Sequence, residues 1–334
     1  MAKKPKLTRQ QKLRVAQNRK KRLSNDASNL DDAIKGRVVG RFGKQANVET
    51  DNGLMRCHIR RTIDSVVCGD SVLVSRENDS DAKIQGIIEL VHDRVNVLSR
   101  PDFYDGVKPV AANVDQIIVV SSVLPEFSPH IIDRYLVACE DIGISPILLV
   151  NKFELANEEE QHSIKTTMES YQSLGYHVVM TSCKTKEGLN ALTELLDNQT
   201  SIFVGQSGVG KSSLINQVLP NADELVGDIS DNSGLGQHTT TASKLLSLPS
   251  GGELIDSPGV REFGLWHLPE EKVTWGFREF RDLVGGCKFR DCKHLNDPGC
   301  IIRAAVEKGE ISQQRFDSYH RIITSMSEQK PSYL

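Results

Sequence analysis

The sequence predicts a multidomain α/β protein with a small β-barrel in front and a helical, metal-binding segment behind. Three observations carry that prediction. Residues 35–100 hold short β-branched runs split by turn residues; residues 101–267 alternate strand-like and helix-like segments around one glycine-rich turn; residues 268–334 show helical spacing around three cysteines and a histidine. At 334 residues, 38% hydrophobic and 25% charged, the chain is long enough for two or three cores.

The first 34 residues read as a disordered arm, with too few large apolar side chains to offset the entropy of ordering. Residues 1–22 carry ten Lys/Arg and no acid, which leaves 31 basic against 44 acidic side chains in the rest of a chain whose net charge is only −3. A basic arm on an acidic body suits nucleic acid as a partner, with a merely solubilising tail as the alternative. No apolar run approaches the ~20 residues of a membrane span, and no apolar segment follows the basic start as in a secretory signal, so a cytoplasmic location is expected. Seven cysteines without a regular framework argue against disulfides. Cys57, Cys68 and Cys139 sit among apolar residues and are expected in cores.

In residues 35–100, strands are predicted near 36–40, 45–50, 55–59, 70–74 and 86–91, separated by turn signals such as Asp51-Asn52-Gly53 and Cys68-Gly69-Asp70. Five short strands suit an OB-like barrel, which often binds nucleic acid, although an SH3-like barrel reads much the same. Arg41, Phe42, Lys44, Arg56, Arg60 and Arg61 supply basic groups and one aromatic for an RNA-binding face.

Strands at 116–123, 146–150, 177–182, 201–204, 244–248 and 253–255 alternate with helices at 130–142, 158–174, 189–196 and 213–219, which predicts a parallel sheet covered on both faces. The glycine-rich turn is Gly205-Gln206-Ser207-Gly208-Val209-Gly210-Lys211-Ser212-Ser213, between an apolar strand and a helix. This is the context a phosphate-binding loop requires: its glycines let backbone N–H groups face phosphate oxygens, and the helix N-terminus adds partial positive charge. Lys211 is placed to reach the β- and γ-phosphates, and the Ser212 hydroxyl to hold magnesium.

Three further strand ends carry short motifs: Asn151-Lys152-Phe153-Glu154, Ser182-Cys183-Lys184, and Asp256-Ser257-Pro258-Gly259. They resemble the NKxD, SAK and DxxG elements of GTP-binding proteins. A carboxylate at 154 can accept from guanine N1–H and N2–H₂, where adenine offers no N1 proton; the stems of Lys152 and Lys184 can flank the ring and the Cys183 N–H can reach O6. Glu154 stands where the pattern has Asp, which alters the reach of the carboxylate. The order is also changed, since ordinary GTPases run phosphate loop, DxxG, NKxD, SAK, and here NKFE and SCK precede the phosphate loop. A circularly permuted P-loop GTPase domain follows.

With the barrel, the segment Gly236-Gln237-His238-Thr239-Thr240, the run Asp256–Trp266 and the C-terminal Cys/His cluster, the chain resembles the bacterial ribosome small-subunit-dependent GTPases, the RsgA or YjeQ family. The resemblance covers about residues 35–330. It implies a GTP hydrolase, monomeric, that binds the small (30S) subunit and its 16S rRNA in late maturation. An RNA-associated scaffold using nucleotide as a structural ligand is the alternative. Val260 follows DSPG where Ras-like proteins place a water-orienting glutamine. The catalytic group is therefore expected on residues 231–240, read as a switch loop in which Thr240 closes on magnesium and His238, or else Gln237, positions water beside Lys211.

Cys287, Cys292, His294 and Cys300 offer three thiolates and an imidazole within fourteen residues, a donor set that suits one tetrahedral structural zinc ion. Helical spacing at 269–283, 301–307 and 313–326 surrounds it.

Overall fold

The computed structural model describes residues 33–76, 84–102, 106–219, 243–256 and 268–329. They fall into two units, divided near Asp93, with residues 67–69 belonging to the second.

In the first unit, β1 (Ile34–Phe42), β2 (Gln45–Thr50) and β3 (Gly53–Ile59) form an antiparallel meander joined by tight turns. β4 (Ser71–Arg76) pairs antiparallel with both β1 and β5 (Gly86–Val91), while β5 lies parallel to β3. The ring β1-β2-β3-β5-β4 thereby closes on itself as a five-stranded OB-like barrel, deciding between the two architectures the strand pattern allowed. Inward alternation places Val38, Ala46, Val48, Met55, Cys57, Val72, Val74 and Ile88 in one core.

The second unit begins with a hairpin, β6 (Val97–Asp102) and β7 (Gly106–Ala112), that the sequence pattern does not reveal. Pro101 and Pro109 interrupt its alternation, and a register shift between Leu98 and Ser99, with Ser99 opposite Pro109, accommodates the second proline. The sheet that follows contains β8 (Gln116–Ser122), β9 (Ser145–Asn151), β10 (His177–Met180), β11 (Thr200–Val204), β12 (Lys244–Ser247) and β13 (Glu253–Asp256). Helices α1 (Pro129–Ile142), α2 (Glu158–Ser173), α3 (Leu189–Leu196) and α4 (Lys211–Val218) connect them. Spatial order is β10-β9-β8-β11-β13-β12. All neighbours are parallel except β12 and β13, which are antiparallel. Here the expectation of a wholly parallel sheet is corrected: residues 248–252 make a connection far too short for a parallel crossover. The continuous burial of β8, β9 and β11 reflects helices on both faces, with Ile118, Leu149, Leu192, Phe203 and Leu214 in one of the two layers.

The C-terminal part of the same unit contains α5 (Glu270–Gly276), a 3₁₀ turn (Arg278–Leu283), α6 (Ile301–Glu307) and α7 (Gln313–Gln329). The single helix expected over 269–283 breaks at Phe277, whose backbone is extended (φ −89°, ψ 106°). The break turns the fully buried Phe277 ring onto Phe280 at 5.0 Å and edge-on to Tyr319 at 5.6 Å, so aromatic packing overrides helical continuity.

Candidate nucleotide site and metal centre

The phosphate-loop strand β11 lies in the middle of the sheet, with the DSPG strand β13 on one side and β8, β9 and β10 in turn on the other. The parallel strands therefore deliver Gly205, Asp256, Asn151 and Thr181 to one edge, the C-terminal edge at which such sheets bind ligands. Gly205 and Gly210 have φ of 140° and 95°, and a Cβ on either would lie 2.2 Å from the Val120 carbonyl oxygen or 2.3 Å from Asn151 Nδ2. Only glycine permits that backbone path. Val209 is buried and anchors the loop, whereas Ser207, Gly208, Ser212 and Ser213 face solvent. Lys211 heads α4 and donates through Nζ to the carbonyls of Gly205 and Gln206 at 2.7 and 2.6 Å, so its ammonium is held at the mouth of the loop.

The NKFE element is bolted to this loop. Asn151, 1% exposed, donates through Nδ2 to the Val209 carbonyl at 2.9 Å. Its Oδ1 accepts from Thr181 Oγ1 at 3.4 Å and from Cys183 Sγ at 3.7 Å. Lys152 adopts a left-handed backbone (φ 57°), uncommon for a non-glycine residue. Its Nζ donates to the Gly208 carbonyl at 2.6 Å and to the Leu124 carbonyl at 2.7 Å. Ser182 is fully buried and accepts through Oγ from the Thr185 N–H at 3.0 Å, closing the turn that carries Cys183 and the exposed Lys184. Glu154 Oε2 is buried and has no hydrogen-bond partner among the described residues. An acceptor without a donor of its own, just past the end of β9 and next to the Ser182–Lys184 turn, leaves this carboxylate able to accept from a base edge such as guanine's.

Asp256 ends β13 opposite Lys244 of β12. Burial raises its carboxyl above its ordinary value, against the opposing pull of the Lys244 ammonium. Gly259, Gln237, His238 and Thr240 lie outside the described residues.

The four candidate metal ligands converge, their donor atoms all within 4.8 Å of one another. Cys287 and Cys300 sulfurs are 4.0 Å apart, and each is 3.5 Å from His294 Nδ1. Tetrahedral zinc, with bonds of about 2.3 Å to sulfur and 2.0 Å to nitrogen, sets these separations at roughly 3.8 and 3.5 Å, so the donor set fits the ion. His294 reaches inward from a left-handed backbone (φ 59°), and its flanking N–H groups, those of Lys293 and Leu295, both donate to Asp297 Oδ2. Burial lowers the His294 pKa, favouring the neutral imidazole that ligates metal.

Residues 91–266 match the model of the RsgA GTPase family. Over nearly the whole chain, the sequence is 55% identical to the small ribosomal subunit biogenesis GTPase RsgA of Shewanella oneidensis, covering 99% of this chain and 97% of that one. This chain belongs to the RsgA GTPase family. Its counterpart in Proteus mirabilis is 54% identical, over 98% of this chain and 97% of that one. Among solved structures, YjeQ from Thermotoga maritima matches with a TM-score of 0.72 at 32% identity, covering 89% of this chain and all of that one. YloQ, described as a circularly permuted GTPase, matches at 0.70 and 30%, covering 91% and 98%. The permutation read from the order of the motifs is thus a property of an RsgA-family fold.

Within this RsgA-family site, sequence reasoning found the strand-end motifs but missed the part played by Leu124. Its side chain is exposed and uninformative; the backbone carbonyl makes the contact with Lys152, and a carbonyl has no signature in a sequence.

Proposed function

We propose that this chain binds GTP with magnesium, hydrolyses it, and acts on the small ribosomal subunit during late assembly, the subunit stimulating hydrolysis and hydrolysis leading to release. The observation that carries the reading is the clamp of Asn151 and Lys152 on the phosphate loop, with Glu154 two residues further on holding an oxygen that has no hydrogen-bond partner among the described residues. Lys211 and the loop N–H groups hold phosphate, Glu154 reads the guanine edge, and Asp256 and Gly259 mark the γ-phosphate side. Ser212 and Thr240 are assigned to magnesium, which would neutralise charge developing on the phosphates. His238, with Gln237 as the rival, is assigned to positioning water.

The names of the relatives support the small subunit as partner. We assign 16S rRNA contact to the basic arm, the barrel and the C-terminal domain together, and zinc to the Cys₃His set. We take the chain as a cytoplasmic monomer with domains at 1–34, 35–100, 101–267 and 268–334. Among the described residues no helix is long and apolar enough to cross a membrane. The test is nucleotide titration with GTP and ATP, then multiple-turnover hydrolysis with and without purified small subunits. GTP preference and subunit-stimulated turnover are expected; equal affinities, or no turnover in either condition, would overturn the reading in favour of a scaffold.

A further inference from the structure

Helix α1 leaves the nucleotide edge of the sheet and carries Asp133, Val137 and Glu140 on one stripe, at the i, i+4, i+7 spacing that aligns side chains. That stripe faces the C-terminal helices. Asp133, fully buried, accepts through Oδ1 from Tyr171 Oη of α2 at 2.6 Å and from the Arg315 guanidinium of α7. The remaining nitrogens of Arg315, Nε and Nη2, donate to Glu279 at 2.6 and 3.0 Å. Arg315 is 4% exposed and lies 4.4 Å above the Phe277 ring. Glu140 accepts from Arg278 and Arg281 at 2.7 and 2.6 Å. Between the two clusters Gly276 rests on Val137, where an added Cβ would meet side-chain and backbone atoms at 3.0–3.1 Å.

Buried ion clusters contribute little net stability compared with apolar packing, yet each member leaves a costly unpaired charge when its partner is removed. What such a cluster supplies is one fixed geometry. Here the geometry reaches the nucleotide site by a short route. Asp133 lies four residues past Pro129, whose carbonyl oxygen is 3.3 Å from the same Tyr171 hydroxyl and can at most share its proton with Asp133. The loop before Pro129 holds Leu124, and its carbonyl accepts from the same Lys152 ammonium that donates to Gly208 of the phosphate loop.

We propose that Arg315, in the C-terminal helix, is a positioning residue for the nucleotide site: by holding Asp133 it sets the first turn of α1 and, through the Leu124 carbonyl, the position of the Lys152 ammonium. The proposal rests on the reading that Lys152 and the phosphate loop bind nucleotide. It gives the C-terminal domain a connection to that loop independent of the DSPG segment. Linkage makes the connection reciprocal, so a partner that shifts α7 alters nucleotide affinity by the factor by which nucleotide alters affinity for that partner.

A double-mutant cycle in the full chain tests this, with fluorescent GDP affinity as the readout and zinc content and thermal unfolding as the check on folding. Arg315→Met is expected to weaken binding about tenfold, and Lys152→Ala to weaken it on its own; in the Lys152→Ala background, Arg315→Met should add less than twofold. A generally loosened fold would give multiplying effects instead. If Arg315→Met does not fold, Arg315→Lys keeps the buried charge, loses the two-sided fork and enters the same cycle. Folded Arg315 variants that bind GDP like the wild type, or effects that multiply, would overturn the proposal. Unchanged affinity in Lys152→Ala alone would overturn the nucleotide reading instead, a distinct result.

Discussion

Replacing Glu154 by Gln changes two measurable quantities in opposite directions. Glu154 is half-buried, and its Oε2 is out of water without a hydrogen-bond partner among the described residues, so that oxygen has lost hydration without gaining a bond. Guanine N1–H and N2–H₂ would supply two charge-assisted hydrogen bonds, each contributing about 1.5–3 kcal/mol. Glutamine has nearly the same shape but offers one acceptor and one donor. One bond is lost and a donor then faces a donor, which together should cost about 3 kcal/mol and weaken GTP binding roughly 150-fold. Xanthine carries a carbonyl where guanine has its amino group, so the glutamine amide can donate to it and the affinity ratio of XTP to GTP should rise. The same substitution replaces a carboxylate with one unpaired buried oxygen by a neutral amide, so the nucleotide-free variant should unfold at the same temperature as the wild type or above it. Titration with GTP and XTP, alongside thermal unfolding without nucleotide, measures both effects. GTP affinity within threefold of the wild type would refute the contact between Glu154 and the base, and a lower unfolding temperature would refute the reading that its buried oxygen is unpaired.

Other outcomes follow from the same structure. Purified protein should contain about one zinc per chain, and Cys292→Ala should lose it and unfold at lower temperature; a metal-free chain that is fully folded would remove zinc from the architecture. Deleting residues 1–22 should weaken small-subunit binding most at low salt and flatten its dependence on salt, as expected when Lys and Arg displace counterions; an unchanged slope leaves the arm without an electrostatic role. His238→Ala should lower subunit-stimulated GTP turnover by ~10²-fold or more while GTP affinity stays nearly constant. Full stimulated turnover in that variant would shift the role to Gln237 or to a group supplied by the ribosome.

Much of the site was legible in the chain because its chemistry is local. A phosphate loop is nine consecutive residues whose glycines are demanded by backbone angles, as Gly205 and Gly210 show. The zinc set is four donors within fourteen residues, and their convergence follows from that shortness. Strand and helix positions were readable because burial imposes a period, of two in the barrel and 3.6 in α1 and α7. The circular permutation was readable because it is itself an order of motifs, preserved whatever the sheet does in space.

Only the tertiary structure decided the rest, and in each case the cause is a contact between distant or unlabelled groups. Closure of the barrel depended on β5 meeting β3 in parallel and β4 meeting β1, pairings that alternation alone does not specify. The break at Phe277 depended on Tyr319 arriving from α7. Lys152 found its anchor in a backbone carbonyl, which any residue at 124 would supply. Arg315 and Asp133, 182 residues apart, each read in the sequence as one charge on a helix. They became a buried pair because the apolar faces of α1 and α7 brought them out of water together, and in that low-dielectric setting removing either leaves the other short of a partner.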